Sequence, residues 1–291
     1  MRNRTRLWMG AVAAVVSASA VAAPASASEN VRQAYHDRTL ILSANARCGY
    51  FNPAVAQALG AAALQTRGTL LRAGDELSSV QAIAVGARAE ARAMSCRDAA
   101  LQDKASRIIH AFERWERAAR LQFPARNGGW RVDRYRSREA GWKLVQESRV
   151  GGSPVRFGLA GTDPAHVVPT AVVSFQGRSR PYAARIVMRD TAMLPQPHGV
   201  SQGRAAMPPA AGRVMVLASR KSRAERTLLP TGQRHGEAWV FAPEAIARLA
   251  SLDPREPFWI EFLFGDDSIA RVPFEAGDLA AAKAFLDLGP V

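Results

Sequence analysis

Cysteine is nearly absent: the 291 residues hold two, Cys48 and Cys96. A zinc site needs four ligands at short, paired spacings, and two distant cysteines with five scattered histidines do not supply them. Lysine is scarce too. Only Lys104, Lys143, Lys221 and Lys283 occur, so the 39 basic residues that outweigh 25 acidic ones are almost all arginine, and the formal net charge is +14. The chain also has no G-x-S-x-G elbow, no H-E-x-x-H, no phosphate loop and no G-x-G-x-x-G, which removes the common signatures of hydrolase, zinc-protease and nucleotide chemistry.

Long apolar runs are missing except at the start. Arg2, Arg4 and Arg6 precede an apolar stretch from Leu7 to about Val16, which is shorter than the ~20 residues needed to span a bilayer. Small-x-small triplets follow between Ala18 and Ala27. This order reads as a signal peptide over 1–27, cleaved between about Ala20 and Ala27, and it places the mature protein in the periplasm or outside the cell. An apolar fraction of 48% predicts a folded chain.

What remains divides by texture. Residues 28–123 are rich in helix formers and hold one proline, Pro53, with Pro24 and Pro124 flanking them, whereas from Trp142 prolines and glycines recur between short Val, Ile, Phe and Trp runs. The expected architecture is α+β: an N-terminal α-helical bundle followed by an antiparallel β-sandwich or barrel over 142–291. Residues 124–141, rich in arginine and containing Asn127-Gly128-Gly129, read as a flexible, protease-sensitive linker.

In the helical unit, Asn52-Pro53 reads as a cap followed by proline at the first helical position, and Gly74-Asp75 as a stop followed by a cap. Stripes at Leu77, Val80, Ala84, Ala87, Ala91, Met94 and at Leu101, Ala105, Ile108, Phe112, Trp115, Ala119 predict core faces. Helices are expected at 29–47, 53–72, 76–95 and 98–122. Cys48 then ends the first and Cys96 the third, on one side of an up-down-up bundle, so in an oxidising compartment the two should pair. A cysteine nucleophile would need a base in reach, and neither His36 nor His110 sits in a catalytic signature.

In the second unit, strands are expected near 142–147, 155–159, 170–176, 184–189, 213–218, 237–242, 258–264 and 269–274. Gly265 to Ser268 should form the last hairpin turn. Short helices are expected at Pro243–Leu252 and Asp278–Leu288, the second capped by Asp278. The proline-rich stretch Leu194 to Gly212 reads as a disordered flap or a functional lip. The run EAWVFAPEAIARLASLDPREPFWIEFLFGDDSIARVPFEAGDLAAAKAFL, as an order of strand, helix, hairpin and helix, resembles the C-terminal part of the invasion-associated locus B family of exported bacterial proteins. That resemblance implies export and a β-sandwich, and it transfers no functional residue.

For function, charge is the main clue. Between Arg107 and Lys143 ten basic residues face four acids, among them Arg126, Arg131, Arg134, Arg136 and Arg138; between Arg213 and Arg234 six face Glu225 alone, among them Arg220, Lys221 and Arg223. Neither cluster carries a nucleic-acid fold signature. For an exported chain the anions within reach are lipopolysaccharide, anionic phospholipid, acidic polysaccharide and released nucleic acid. The reading is a non-enzymatic envelope binding or accessory protein with an anionic or protein partner and no cofactor. The alternative is a periplasmic hydrolase near His198 and His235, with Asp190 and Glu237 as carboxylate partners.

Overall fold

The computed structural model describes residues 24–175 and 180–291, so the first 23 residues of the expected leader lie outside it. Four helices open the described chain: α1 (Pro24–Cys48), α2 (Pro53–Ala73), α3 (Leu77–Ala93) and α4 (Ala99–Glu116). Asn52 caps α2 as expected, its side chain accepting from the Val55 N–H at 2.9 Å. Gly74, at φ +105°, ends α2 in the left-handed conformation that glycine adopts without penalty. Asp75 does not cap α3; its carboxylate takes the Arg32 guanidinium at 2.5 Å, and the capping position passes to Glu76. Val80, Ala84, Ala87 and Ala91 are buried on one face of α3. Cys48 and Cys96 are bonded, with Cα atoms 5.5 Å apart. Beside the bridge, Arg47 donates to the carbonyls of Ala91 and Arg92 at the end of α3, and the Tyr50 hydroxyl donates to Cys96 O.

Eleven strands follow. In chain order they are β1 (Arg120–Ala125), β2 (Gly128–Asp133), β3 (Gly141–Val150), β4 (Ser153–Asp163), β5 (His166–Val173), β6 (Ala183–Arg189), β7 (Arg213–Leu217), β8 (Arg220–Arg223), β9 (Glu237–Val240), β10 (Pro257–Leu263) and β11 (Ile269–Glu275). Helix α5 (Glu244–Ala250) separates β9 from β10, and α6 (Leu279–Leu286) follows β11. All pairings are antiparallel, in one sheet of order β1-β2-β3-β4-β5-β9-β8 and another of order β11-β10-β6-β7. The arrangement is a sandwich rather than a closed barrel. Phe157 from the large sheet and Phe258 and Phe274 from the small one meet at ring separations of 5.5–5.8 Å, and Trp130 joins them.

Residues 124–141 are not a free linker. Phe123, Trp130 and Val132 alternate into the core while Gln122 and Arg131 face out, so β1 and β2 form a hairpin at the edge of the large sheet. Pro124 is tolerated because β1 is the outermost strand and has a partner on one side only. The hairpin tip is tied to β11: Asn127 donates its backbone N–H and its side-chain amide to the Glu275 carboxylate, at 3.0 and 2.7 Å. For the same reason α4 stops at Glu116, short of the expected 122, because the next residues are drawn into β1.

The two units interlock through α6. Trp115 of α4 packs on Phe285 at 4.8 Å between ring centroids, and Gln57 of α2 donates to Ala284 O. Asp278 does not cap α6 with its side chain; its carboxylate turns to Arg72 of α2, at 2.5 and 2.8 Å. The stretch 194–212 is a tied strap. Arg189 holds it at Leu194 O, the Ala205 N–H donates to Arg255 O, and Arg126 donates to Gln202 O. Limited proteolysis of the native chain should therefore spare the Arg126–Asn127 turn, where flexible backbone would be cut first. Early release of two fragments separating near 125–140 would overturn this.

Candidate functional site

The arginines expected to form one basic face are dispersed. Arg134 is buried, 2% exposed, with its guanidinium donating to the carbonyls of Glu116, Ala118 and Gly289 and lying over the Phe285 ring. It clasps the end of α4 to the end of the chain, and burial lowers its pKa. Arg131 pairs with Glu147 on the outer face of the large sheet at 2.7 Å. Arg126 is bound to the strap, and Arg136 and Arg138 are exposed beyond β2. Lys143, which belongs to the same run, is buried and donates to Tyr135 O and Ser137 Oγ.

The second cluster does converge. In the ladder β5-β9-β8, Val173 lies opposite Glu237 and Glu237 opposite Arg223, while Ala171, Trp239 and Lys221 form the next aligned row. Side chains in aligned rows share a face of the sheet. Ala171, Val173 and Trp239 belong to the sandwich core, so Lys221, Arg223 and Glu237 also project to the inner side. One position along, Val172 and Ala238 face outward and pack under Leu228 and Leu229, which confirms the assignment. Charged residues thus occupy positions that a sandwich normally fills with apolar side chains, and Arg220, of opposite parity, faces away.

The inter-sheet space at this edge is a cleft of about 800 Å³, a size suited to a small ligand. Val173 and Phe175 form an apolar floor, the Phe175 ring being wedged against Phe262 and Phe264 at 5.3 and 5.2 Å. Arg180, Lys221, Arg223 and His235 stand around it, with Glu237 as the one acid among the described residues that line it. Lys221 is held in place: it pairs with Glu237 at 3.0 Å, donates to Pro181 O at 2.7 Å and lies 4.9 Å from the Trp239 ring centre. Arg180 is only loosely tethered, 3.9 Å from Glu237 with its side chain 87% exposed. Arg223 is exposed and donates to His235 Nδ1 across 3.3 Å, which leaves the hydrogen of the neutral ring on Nε2.

No family model, no curated protein and no solved structure matches this chain.

His198 does not line the cleft that holds His235, and Asp190 spends its carboxylate on the Ala192 and Met193 N–H groups. His235 is engaged by Arg223 and Glu237 by Lys221, and among the described residues no hydrogen bond or ion pair joins His198 to Asp190 or His235 to Glu237. Ser174 and Ser222 line the cleft, but among the described residues no hydrogen bond joins either to His235. Among the described residues no three His, Cys, Asp or Glu side chains are grouped to hold a metal ion, and no helix is long and apolar enough to cross a membrane. Sequence reasoning named Lys221, Arg223, His235 and Glu237 but missed Arg180 and Phe175, and it set Glu237 beside a histidine rather than beside Lys221. The strand register alone brings Lys221, Arg223 and Glu237 to one face, because β8 reads Arg-Lys-Ser-Arg and shows no apolar alternation, while Phe175 and Arg180 reach the cleft from outside the strands.

Proposed function

We propose that this chain is an exported, non-enzymatic binding protein of the bacterial envelope that captures an acidic saccharide in the inter-sheet cleft. The observation that carries the reading is the inward projection of Lys221 and Arg223 from β8, beside Arg180, at sandwich positions that would otherwise be apolar. Arg180, only loosely tethered to Glu237, and Arg223, held by the neutral His235 ring, keep donors for a carboxylate or phosphate, while the tethered Lys221–Glu237 pair and His235 Nε2–H offer neutral hydrogen-bond partners for hydroxyls. The basic leader pattern and the likeness of residues 237–286 to the invasion-associated locus B family support export. The strong positive charge of the whole chain would speed encounter with any polyanion without choosing where it docks.

The test compares location at constant charge. Calorimetric titration with a heparin tetrasaccharide should show saturable binding that weakens as salt rises. Arg180→Glu with Arg223→Glu should lower affinity about tenfold or more, since each charge-assisted contact is worth ~1.5–3 kcal/mol. Arg88→Glu with Arg92→Glu, both exposed on α3, changes net charge equally and should cost little. Equal losses in the two double variants would reduce the protein to a generally basic surface.

A further inference from the structure

A second concavity lies in the helical unit, away from the saccharide cleft. It is a groove of about 320 Å³ between α2 and α4, walled by Val55, Ala58 and Leu59 on one side and Ile108, Phe112 and Trp115 on the other. Its lining along α2 runs from Val55 to Gln65, about 15 Å of helix. Apart from Gln65 at one end the walls are apolar, yet Arg38 of α1 enters the groove beside Ala62. Arg38 donates to Ala62 O at 2.9 Å and to Thr66 Oγ1 at 2.8 Å, both from the same nitrogen, Nη1. These are neutral acceptors. Asp37, the adjacent acid, is committed to Lys104, and among the described residues no carboxylate pairs with Arg38. Burial without a counter-charge lowers the Arg38 pKa.

A part-buried guanidinium ordinarily sits opposite an acid, because its charge is costly to remove from water unless it is compensated. Here the fork beyond Nη1 has donors to spare, and the surface beside it is apolar for the length of the groove. We infer that this groove binds a fatty acid, its carboxylate bidentate on Arg38 and its alkyl chain lying between α2 and α4 towards Val55 and Trp115. The complementarity is twofold. The ligand supplies the missing negative charge at one end and covers Leu59, Ile108 and Phe112 along the rest. A neutral lipid would satisfy the apolar walls but leave Arg38 uncompensated.

Titration of the purified, oxidised chain with octanoate, decanoate and methyl decanoate tests this. Each added methylene should tighten binding about fourfold, so decanoate should bind roughly 15-fold more tightly than octanoate. Decanoate should exceed its methyl ester by about tenfold or more, and Arg38→Gln should erase that preference while leaving the ester unaffected. Ala111→Trp, at an exposed position on the groove wall, should block both ligands without disturbing the core. Arg223→Glu, in the saccharide cleft, should change neither. Equal affinity for acid and ester in the native chain, or decanoate binding that survives Ala111→Trp, overturns the assignment. So does Arg38-dependent binding to anionic phospholipid vesicles with no response to free decanoate, which would make the groove a membrane contact.

Discussion

Asp278→Ala is expected to destabilise the whole fold by about 3–5 kcal/mol, the cost of stranding one member of a buried ion pair. The Asp278 side chain is fully buried and Arg72 is 13% exposed, so after the substitution the guanidinium would face the α2–α6 interface without a counter-charge. Burial alone raises the Asp278 carboxyl above the usual aspartate range, and Arg72 opposes that shift by hydrogen bond and charge. The pair needs Gly68. A Cβ at that position would stand 2.1 Å from Asp278 Oδ1, so the close approach of α2 to α6 depends on a residue without a side chain. Gly68→Ala should therefore reproduce part of the loss while leaving both charges in place. Replacing Arg72 and Asp278 together by leucine should recover most of it, because paired apolar substitutes carry no desolvation penalty. Urea unfolding should show one transition in the native chain. A loss below about 1 kcal/mol, or a β-sheet transition that ignores Asp278→Ala, would show that the helical unit is not locked through this contact.

Breaking the Cys48–Cys96 bond should cost about 4 kcal/mol on the chain-entropy account, since it frees a loop of 48 residues in the unfolded state. Native structure should survive. Arg47 still anchors the end of α3 by three carbonyls, and Tyr50 still holds Cys96 O, so the ends of α1 and α3 stay together without the covalent link. Cys48→Ser with Cys96→Ser should accordingly keep the circular-dichroism spectrum and lower the thermal midpoint. A midpoint unchanged by reduction would mean that the unfolded chain is already constrained, and a collapsed spectrum would mean that Arg47 and Tyr50 are insufficient.

These two contacts differ in how visible they are before the fold is known. Cysteine pairing was legible because helix lengths and short turns fix which helix ends share a side. The Arg72–Asp278 pair was not, because its partners stand 206 positions apart and Asp278 has the local context of an ordinary helix cap. Arg134 misled in the same way. Among neighbouring arginines it reads as one more solvated charge, yet three backbone carbonyls left by α4 and the chain's end make it the buried member of the set.

By itself the sequence determined the helical half, the antiparallel character of the second half, the core stripes of α3 and α4, the last hairpin turn and the disulfide, because each depends on residues a few positions apart or on one simple topology. Only the tertiary structure decided that residues 120–133 form a hairpin at the sheet edge, that β8 exists, and that Arg180, Lys221, Arg223, His235 and Glu237 meet. The physical reason is the period of two in a strand. Which face a charged residue occupies is set by the partner strand's register, and a four-residue strand of Arg, Lys, Ser and Arg contains no apolar alternation from which to read it.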